Sequence, residues 1–429
     1  MTNYRFETFE PVVDDKGVPD AQTAAYLQIV TAGFHDRKLT DEALVKKARR
    51  TIADKRVLTA VYADQNLPYA YEPHTPVATF AHFEKKMNVG GGRLIPTHLI
   101  TWVTVRPTHR RRGLLRSLMT ANLTEAKAAG YPLAALTVTE GGIYTRFGFG
   151  TSTWMSTVEI DTSPGFKLAC EPDRRVEMCP ASVLTELAPQ IYERFMQRSP
   201  GAIERQQAYV DMASGTVNPE TGEEDRDVRA ALHYDEDGNP DGYVSYKFKG
   251  WKTDPPTVEV IDLIAVSDAA YSSLWAFVAA IDLVDRVVYD EAAQTSPLPW
   301  LVDNPRRVKI KDQHDAVWLR VLDVKKALEA RPWPVAGQLT IRVRDDMNLA
   351  DGTFSITASG GSATVEAASA SHAVDLELGV AELGSIYLGG ADPVILARAG
   401  RITEHTEDAA VRARELFALE RAPYGPNGF

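Results

Sequence analysis

The chain has 429 residues, with 47 basic and 58 acidic side chains and a formal net charge of −11. This length predicts two or three domains, each able to bury its own core. The acidic balance argues against a general nucleic-acid-binding protein, whose electrostatic footprint would be a basic surface.

The first region runs from residue 1 to about residue 162 and alternates strands with helices. Alternating apolar residues rich in β-branched types predict strands. These strands cover residues 57–62, 77–89 and 93–105, with the glycines 90–92 as a hairpin turn. Apolar residues at helical spacing predict helices over residues 23–34, 40–48 and 113–129. We therefore expect one α+β domain over residues 1–162.

The segment VTVRPTHRRRGLLR, residues 103–116, carries the clearest chemical signal in this region. A strand ends at Pro107, and Gly113 precedes the apolar face of a helix. The start of a helix offers unpaired backbone N–H groups and partial positive charge, and glycine lets a phosphate come close to the backbone. Three successive arginines before Gly113 add donors and charge. The pattern predicts a diphosphate site; a solvated basic helix start with a capping glycine is the alternative.

This segment is neither a Walker loop nor a G-x-G-x-x-G turn. It resembles the pyrophosphate loop of the Gcn5-related N-acetyltransferases, Arg/Gln-x-x-Gly-x-Gly/Ala, with Leu115 as a departure at the last position. In acetyltransferases of this type, the next strand splays from its neighbour and coenzyme A lies in the gap. The resemblance therefore implies an acetyl-CoA site here.

The next segment contains a candidate catalytic tyrosine. Residues 133–138 read as a short buried strand, residues 139–142 as a turn, and Tyr144 follows. The resemblance implies that this tyrosine points at the coenzyme A sulfur, where a neutral phenol can donate a proton to a departing thiolate. Alternatively, Tyr144 is one of sixteen tyrosines and packs beside Phe147 and Phe149. Its order in the chain favours the catalytic interpretation.

The resemblance narrows to the Eis (enhanced intracellular survival) family when more of the chain is included. VTVRPTHRRRGLLR and EGGIYTRFGFG carry it, together with segments starting at Ile191, Ser273, Ala316 and Leu383: IYERFMQRSPG, SLWAFVAAIDLVDRV, AVWLRVLDVKKALEAR and LGSIYLGG. In that family the leucine at position 115 is the expected form. The resemblance implies acetyl-CoA as co-substrate, no metal, and a homohexamer built as a dimer of trimers.

The second region, residues 163–301, repeats the outline of the first. It contains a predicted helix over residues 186–197, strands near residues 242–248 and 258–266, and a helix from Ala269. The turn before this last helix has Asp268 and no arginine cluster, so it would repel a diphosphate. We interpret the region as a degenerate acetyltransferase fold that binds no cofactor.

Two other features of the second region have simpler interpretations. Residues 215–227 are rich in Gly, Glu and Asp and predict a solvated loop or hairpin tip. The two cysteines, Cys170 and Cys179, are too few for a disulfide framework and are interpreted as ordinary thiols.

The third region, residues 302–429, begins with residues 317–328 and continues with alternating strands and a final helix over residues 409–419. Its α+β order resembles the sterol carrier protein domain. A lipid tunnel is one implication of that resemblance, and a scaffold role is the other. The predicted architecture is thus two acetyltransferase folds, the second degenerate, followed by a sterol-carrier-protein-like domain.

The last eight residues, APYGPNGF, cannot form a helix, and such tails usually fray. Against this, the aromatic Phe429 could anchor the tail in an apolar pocket. The Eis resemblance implies that the terminal carboxylate of Phe429 enters the active site and takes the proton from the substrate amine. Desolvation would raise its pKa toward a useful range.

The candidate ligand-binding residues fall into two groups. Those expected to contact acetyl-CoA are Val103, Thr104, Val105, Arg111, Arg112, Gly113, Leu114, Leu115, Arg116, Thr139 and Glu140. Those expected to contact the acceptor amine are Asp36, Phe34 and Trp102, although Asp36 could equally be a surface helix end. The family acetylates aminoglycoside amines and protein lysines, but its often acidic penultimate position is Gly428 here, which argues against strong binding of a polycation.

Two other functions stay open on the sequence. The chain could be a lipid or small-ligand binding protein that acts through its third region, or a pseudo-enzyme that binds coenzyme A without turnover. No run of about 18 apolar residues occurs, and the amino terminus lacks the apolar stretch of a secretory signal. We therefore expect a soluble cytoplasmic protein with no membrane span, and no signal for export.

Overall fold

The computed structural model describes residues 3–64, 67–169, 171–218, 221–369 and 371–429, so Cys170 lies outside the described residues. The described strands are β1 (Tyr4–Phe9), β2 (Val57–Ala63), β3 (Ala78–Asn88), β4 (Leu94–Val105), β5 (Leu133–Thr137), β6 (Gly150–Thr151), β7 (Trp154–Asp161), β8 (Val176–Cys179), β9 (Arg229–Tyr234), β10 (Pro240–Phe248), β11 (Thr257–Ala265), β12 (Arg286–Ala293), β13 (Val308–Asp315), β14 (Val317–Val321), β15 (Gly337–Arg344), β16 (Gly352–Ser359), β17 (Ser362–Ala368), β18 (Leu376–Gly379) and β19 (Ile402–Glu404). The described helices are α1 (Ala21–Gly33), α2 (Asp41–Ala53), α3 (Leu114–Ala128), α4 (Leu184–Arg198), α5 (Gln207–Ala213), α6 (Asp268–Ala279), α7 (Leu298–Leu301), α8 (Val324–Ala330), α9 (Val380–Ile386), α10 (Pro393–Arg398) and α11 (Ala409–Phe417).

The first sheet has the strand order β1-β2-β3-β4-β5-β14-β6. Strands β4 and β5 pair in parallel, and α3 forms the crossover between them. This helix buries a stripe of apolar side chains at helical spacing, which includes Leu114, Leu118, Met119 and Leu123, against the sheet. The parallel pair and its helix place the carboxyl end of β4 beside the amino end of α3, which is the edge where α/β sheets bind ligands.

The second sheet has the order β13-β7-β12-β11-β10-β9-β8 and repeats this plan, with β11 and β12 parallel and α6 between them. Three strands cross the region boundaries predicted at residues 162 and 302, and one of them is β13, which follows residue 302 but belongs to the second sheet. Strand β7 precedes residue 162 but belongs to the second sheet, and β14 follows residue 302 but belongs to the first. The sheets are therefore connected by exchanged strands.

The third sheet, β17-β16-β15-β18-β19, belongs to the carboxyl-terminal region. Its buried side chains continue into those of the first sheet, because Leu339 and Trp333 lie in the same apolar cluster as Phe83, Leu99 and Leu133. Helix α9 lies against β14 and β6. This shared core favours the scaffold interpretation of the third region.

Two local expectations differ from the structure. The predicted solvated loop over residues 215–227 is in part buried: Val217 is 5% exposed and faces a cavity, and residues 219 and 220 are outside the described residues. The helix predicted over residues 40–48 continues to Ala53, and Thr51 extends its buried face beyond residue 48. Among the described residues, none of the helices has the length and apolarity needed to cross a bilayer.

Candidate active site

The predicted diphosphate loop forms a tight turn at the start of α3. Arg111 and Gly113 both adopt left-handed backbone conformations, with φ of 62° and 80°. Helix α3 has no side-chain cap at Gly113, and an added Cβ there would meet no atom within 4 Å. Because the first N–H groups of a helix have no intrahelical partner, the backbone donors of Leu114 and the residues after it face an open approach.

Side chains of the loop brace this turn. Arg112 Nη1 donates to the Tyr4 hydroxyl at 2.9 Å and Nη2 to the Thr108 carbonyl at 3.1 Å. His109 contacts the Thr108 hydroxyl at 2.9 Å and meets the Tyr4 ring edge-on. His109 is thus a part of the turn.

Strands β4 and β5 separate beside this loop. Their ladder covers three pairs and ends at Ile100 and Leu136, although β4 continues to Val105. A bulge in β4 lies just past that point, where Trp102 has φ of 54°. The Thr79 hydroxyl fixes the bulge by hydrogen bonds to the Trp102 carbonyl at 2.8 Å and to the Thr104 hydroxyl at 2.7 Å. The predicted Val103–Thr104–Val105 edge therefore borders a gap in the sheet.

Tyr144 lies between two short 3₁₀ turns that follow β5, Gly141–Ile143 and Thr145–Phe147. Its ring packs on the apolar cluster below α3 and meets Phe149 edge-on. Burial raises the pKa of Tyr144 to about 12, and the nearby Glu140 carboxylate adds to this. Within the described part of the chain, its hydroxyl has no hydrogen-bond partner. Thr139 and Glu140 are exposed in the bend before these turns.

The carboxyl-terminal tail is held in place rather than frayed. Thr137 Oγ1 donates to the main-chain oxygen of Phe429 at 2.8 Å and accepts from its N–H at 3.0 Å. The Phe429 ring packs edge-on against Phe83, with centroids 6.0 Å apart. Since Thr137 is the last residue of β5, Phe429 lies where β4 and β5 have separated.

The second domain holds the residues before Phe429. The Tyr209 hydroxyl donates to the Gly428 carbonyl at 3.1 Å. Asn427 is 1% exposed, and its amide bonds the Tyr192 hydroxyl at 2.8 Å and Arg205 Nε at 3.2 Å. Arg205 is fixed in turn by two hydrogen bonds to the Asp262 carboxylate, of 2.6 and 2.9 Å.

A cavity of about 900 Å³ opens between the two acetyltransferase-like domains. Helices α1 and α2 and the segment that joins them form one wall, and α5 with the loop after it forms the other. Gly428, Phe429 and Trp102 lie at its inner end, and Asp36 also lines it. Phe34, 38% exposed, is not among the described residues that line this cavity. No residue of the diphosphate loop, residues 103–116, lines it.

The corresponding helix start in the second domain differs. The Ser267 hydroxyl caps α6 by accepting from the Ala270 N–H at 3.0 Å and donates to the Asp241 carboxylate at 2.6 Å. Asp268 adds a negative charge in the first turn. The protein's own side chains therefore cap the start of α6 and place negative charge beside it, which agrees with a degenerate fold.

Three residues that hold the tail were missed by sequence reasoning: Thr137, Tyr209 and Asn427. Thr137 had a signal, because it ends a strand parallel to β4 and so lies at the ligand-binding edge. No pattern in the sequence indicates Tyr209 or Asn427, because each makes a contact between distant parts of the chain.

Comparisons with known proteins agree with this architecture. Residues 16–152 and residues 201–321 each match an acetyltransferase (GNAT) domain, and residues 324–426 match a sterol carrier protein domain. The chain is 32% identical over 97% of its length to a Streptomyces griseus protein named uncharacterized N-acetyltransferase, all of which is covered. It is 32% identical over 79% of its length to N-acetyltransferase Eis of Mycobacterium tuberculosis, of which 82% is covered.

Solved structures show the same arrangement. Eis1 from Mycobacterium abscessus matches with a TM-score of 0.81 and 26% identity, over 100% of both chains. A GCN5-related N-acetyltransferase from Anabaena variabilis matches with a TM-score of 0.77 over 99% of this chain and all of its own, and its 21% identity supports the fold alone. The chain therefore belongs to the Eis family of GCN5-related N-acetyltransferases and is an acetyltransferase with two GNAT folds and a sterol carrier protein domain.

Proposed function

We propose that this enzyme transfers the acetyl group of acetyl-CoA to an amine that enters the interdomain cavity. One observation supports the proposal: β4 and β5 separate where the uncapped start of α3 follows β4 and where Phe429, which lines the cavity, is bound to the last residue of β5. Bound acetyl-CoA supplies the activated thioester. Measurement of thiol release from acetyl-CoA with a panel of amines tests this function, and no release from folded protein with any of them would contradict it.

The diphosphate loop has the features that an acetyl-CoA diphosphate requires. The backbone N–H groups of Leu114, Leu115 and Arg116 are the donors, and Arg111 and Arg112 add positive charge. The exposed edge of β4 at Val103–Thr104–Val105 offers backbone groups to the pantetheine arm, and Thr139 and Glu140 flank the other side of the gap. Backbone N–H groups at this edge would also polarise the thioester carbonyl.

The terminal carboxylate of Phe429 is the proposed base. Thr137 and Tyr209 hold the last two residues by their main-chain atoms, so the carboxylate has a fixed position at the inner end of the cavity. An amine that arrives through the cavity would meet this carboxylate beside the gap. Direct attack then needs only positioning and removal of one proton, which requires no covalent enzyme intermediate.

Tyr144 is the proposed donor to the departing sulfur. With a pKa of about 12, the phenol stays neutral at physiological pH. An ordinary thiol has a pKa of about 8.5, so complete proton transfer from the phenol would be uphill. Tyr144 therefore stabilises the thiolate chiefly by donating a hydrogen bond as negative charge develops.

Replacement of Gly113 by Asp should weaken acetyl-CoA binding by about 100-fold, because the added carboxylate would repel the diphosphate and displace it from the backbone N–H groups. Loss of a hydrogen bond to a charged group costs about 1.5–3 kcal/mol, and about 2.8 kcal/mol corresponds to 100-fold in affinity. Calorimetric titration measures the change. Gly238→Asp is the matched control, since Gly238 has a similar φ of 79° and equally open surroundings in a distant turn. Equal affinity in both variants would contradict the assignment of the loop.

Replacement of Tyr144 by Phe should lower kcat by about 100-fold with little change in KM for acetyl-CoA, since the hydroxyl acts on charge that develops in the transition state. In the wild-type enzyme, this phenol should cause no fall in kcat below about pH 11, because its pKa is about 12. Tyr131→Phe serves as control: its pKa is also raised to about 12, but Tyr131 lies before the start of β5, away from the gap. A wild-type rate in Tyr144→Phe would exclude the role.

A further inference from the structure

The interdomain cavity has a positive lining in a protein of net charge −11. Four carboxylates line it: the side chains of Asp36, Asp54 and Glu223 and the terminal group of Phe429. Six cationic side chains face them: Arg37, Lys38, Lys46, Lys47, Arg50 and Arg56. Cations outnumber carboxylates in this lining, whereas a cavity that binds a polycation would have more carboxylates, because like charges repel.

Part of this positive charge is already neutralised. Arg50 pairs with Asp211 at 2.5 Å, and Lys46 pairs with Glu42 at 3.3 Å. Arg56 shares the Asp54 carboxylate, at 3.4 Å, with Lys85 at 3.3 Å. Arg56 and Lys85 thus share one carboxylate, so the cations around Asp54 outnumber the acids.

Three cations of the lining, Arg37, Lys38 and Lys47, have no ion pair among the described residues, and of these only Lys47 is partly buried. Its ammonium donates to the Thr31 hydroxyl at 2.9 Å and makes no ion pair with any described residue. Burial lowers the pKa of Lys47 to about 8, against the opposing effect of the Asp36 carboxylate. Holding a cation in this position costs free energy unless an anion arrives to compensate it.

Lys47 and Arg56 converge on one aromatic ring at the inner end of the cavity. The Lys47 ammonium is 5.5 Å from the centroid of the Trp102 ring, and the Arg56 guanidinium carbon is 4.3 Å from it. Arg56 is 8% exposed and its Nε has no hydrogen-bond partner among the described residues. Gln206, 1% exposed, lines the same cavity, and neither its amide nitrogen nor its amide oxygen has one. Buried polar atoms without partners are rare in native proteins, and a ligand is one way to satisfy them.

We propose that the acceptor is an amine that also carries a carboxylate, which Lys47 and Arg56 bind beside Trp102 while the amine faces Phe429. This inference rests on the proposed function and refines it. It replaces the expectation that Asp36 selects polyamines: Asp36 is one carboxylate among a majority of cations. The penultimate residue is Gly428 rather than the acidic residue often found there in the family, which fits the same preference for a carboxylate.

The test compares two amines that differ only in charge, ω-aminohexanoate and its primary amide, together with spermidine, tobramycin and a lysine peptide. We expect kcat/KM to favour the carboxylate over the amide by about tenfold or more, which corresponds to about 1.4 kcal/mol. In Lys47→Met the ratio should fall toward one through a higher KM, and Lys47→Arg should restore most of it. Lys249→Met is the control: Lys249 pairs with Glu259 on the second sheet, outside the cavity lining, and its replacement should keep the ratio.

The outcomes separate this inference from the function on which it rests. Acetyl transfer that favours spermidine or the amide, or a ratio unaffected in a folded Lys47→Met variant, would overturn the inference and leave acetyl transfer intact. Failure to acetylate any amine in the panel would contradict the proposed function and remove the inference with it. The wild-type comparison alone is decisive if Lys47→Met does not fold.

Discussion

A few residues appended after Phe429 should reduce acetyl transfer by about 100-fold or more while acetyl-CoA binds as before. The extension converts the terminal carboxylate into a neutral peptide group, and it would have to pass through the space that Thr137 and the inner end of the cavity now enclose. Steady-state rates and calorimetric titration of acetyl-CoA measure the two effects separately. Deletion of Phe429 should have the same result, since it removes the side chain that packs against Phe83.

The same residues placed before Met1 are the control for a general effect of extension. Thr137→Val offers a second, milder variant, because it keeps the volume of the side chain and removes both contacts to Phe429. Turnover that is unchanged by a carboxyl-terminal extension would remove the terminal base from the mechanism. It would leave the acetyl-CoA site unaffected.

Replacement of Gly150 by Ala should lower the free energy of unfolding by about 3 kcal/mol or more. An added Cβ would lie 1.8 Å from the Ala381 carbonyl oxygen and 2.5 Å from Ser385 Oγ, so β6 and α9 would have to separate. Because α9 also lies on β14, the disturbance would reach a second strand of the first sheet. Denaturant unfolding or thermal scanning measures the loss.

Gly142→Ala provides the comparison in the same domain, since an added Cβ there meets no atom within 4 Å. It should change stability by less than about 0.5 kcal/mol. Equal unfolding midpoints for the two variants would show that the contact between β6 and α9 does not depend on a missing side chain.

The sequence predicts those parts of the site that local patterns specify. A strand, a basic glycine turn and a helix follow one another over residues 103–116, so their order alone brings Val103, Gly113 and Leu114 to one edge. No local pattern predicts the position of Phe429, because its partner Thr137 is 292 residues away in the chain. Only the family resemblance could suggest that contact, because no periodicity connects the two positions.

Local sequence patterns also could not predict which charged side chains line the cavity. Lys46 and Lys47 are adjacent lysines on α2, yet Lys46 finds Glu42 one turn earlier, and Lys47 turns toward Trp102. Arg56 follows α2 and becomes buried only because β3 and β4 pack beside it, with Phe83 on one side of its guanidinium. The sequence also could not predict which sheet contains β14, because its partner β5 lies about 180 residues earlier in the chain and no local pattern connects the two strands.

The exchange of β14 has a consequence for synthesis on the ribosome. Strand β5 is an unprotected edge, with the apolar sequence LAALT, until Val317–Val321 emerges and pairs with it. During that delay the whole second fold is made, and exposed apolar edges invite intermolecular pairing. A shortened gene that encodes only the first fold would leave this edge open permanently, so its product should precipitate where the intact polypeptide does not.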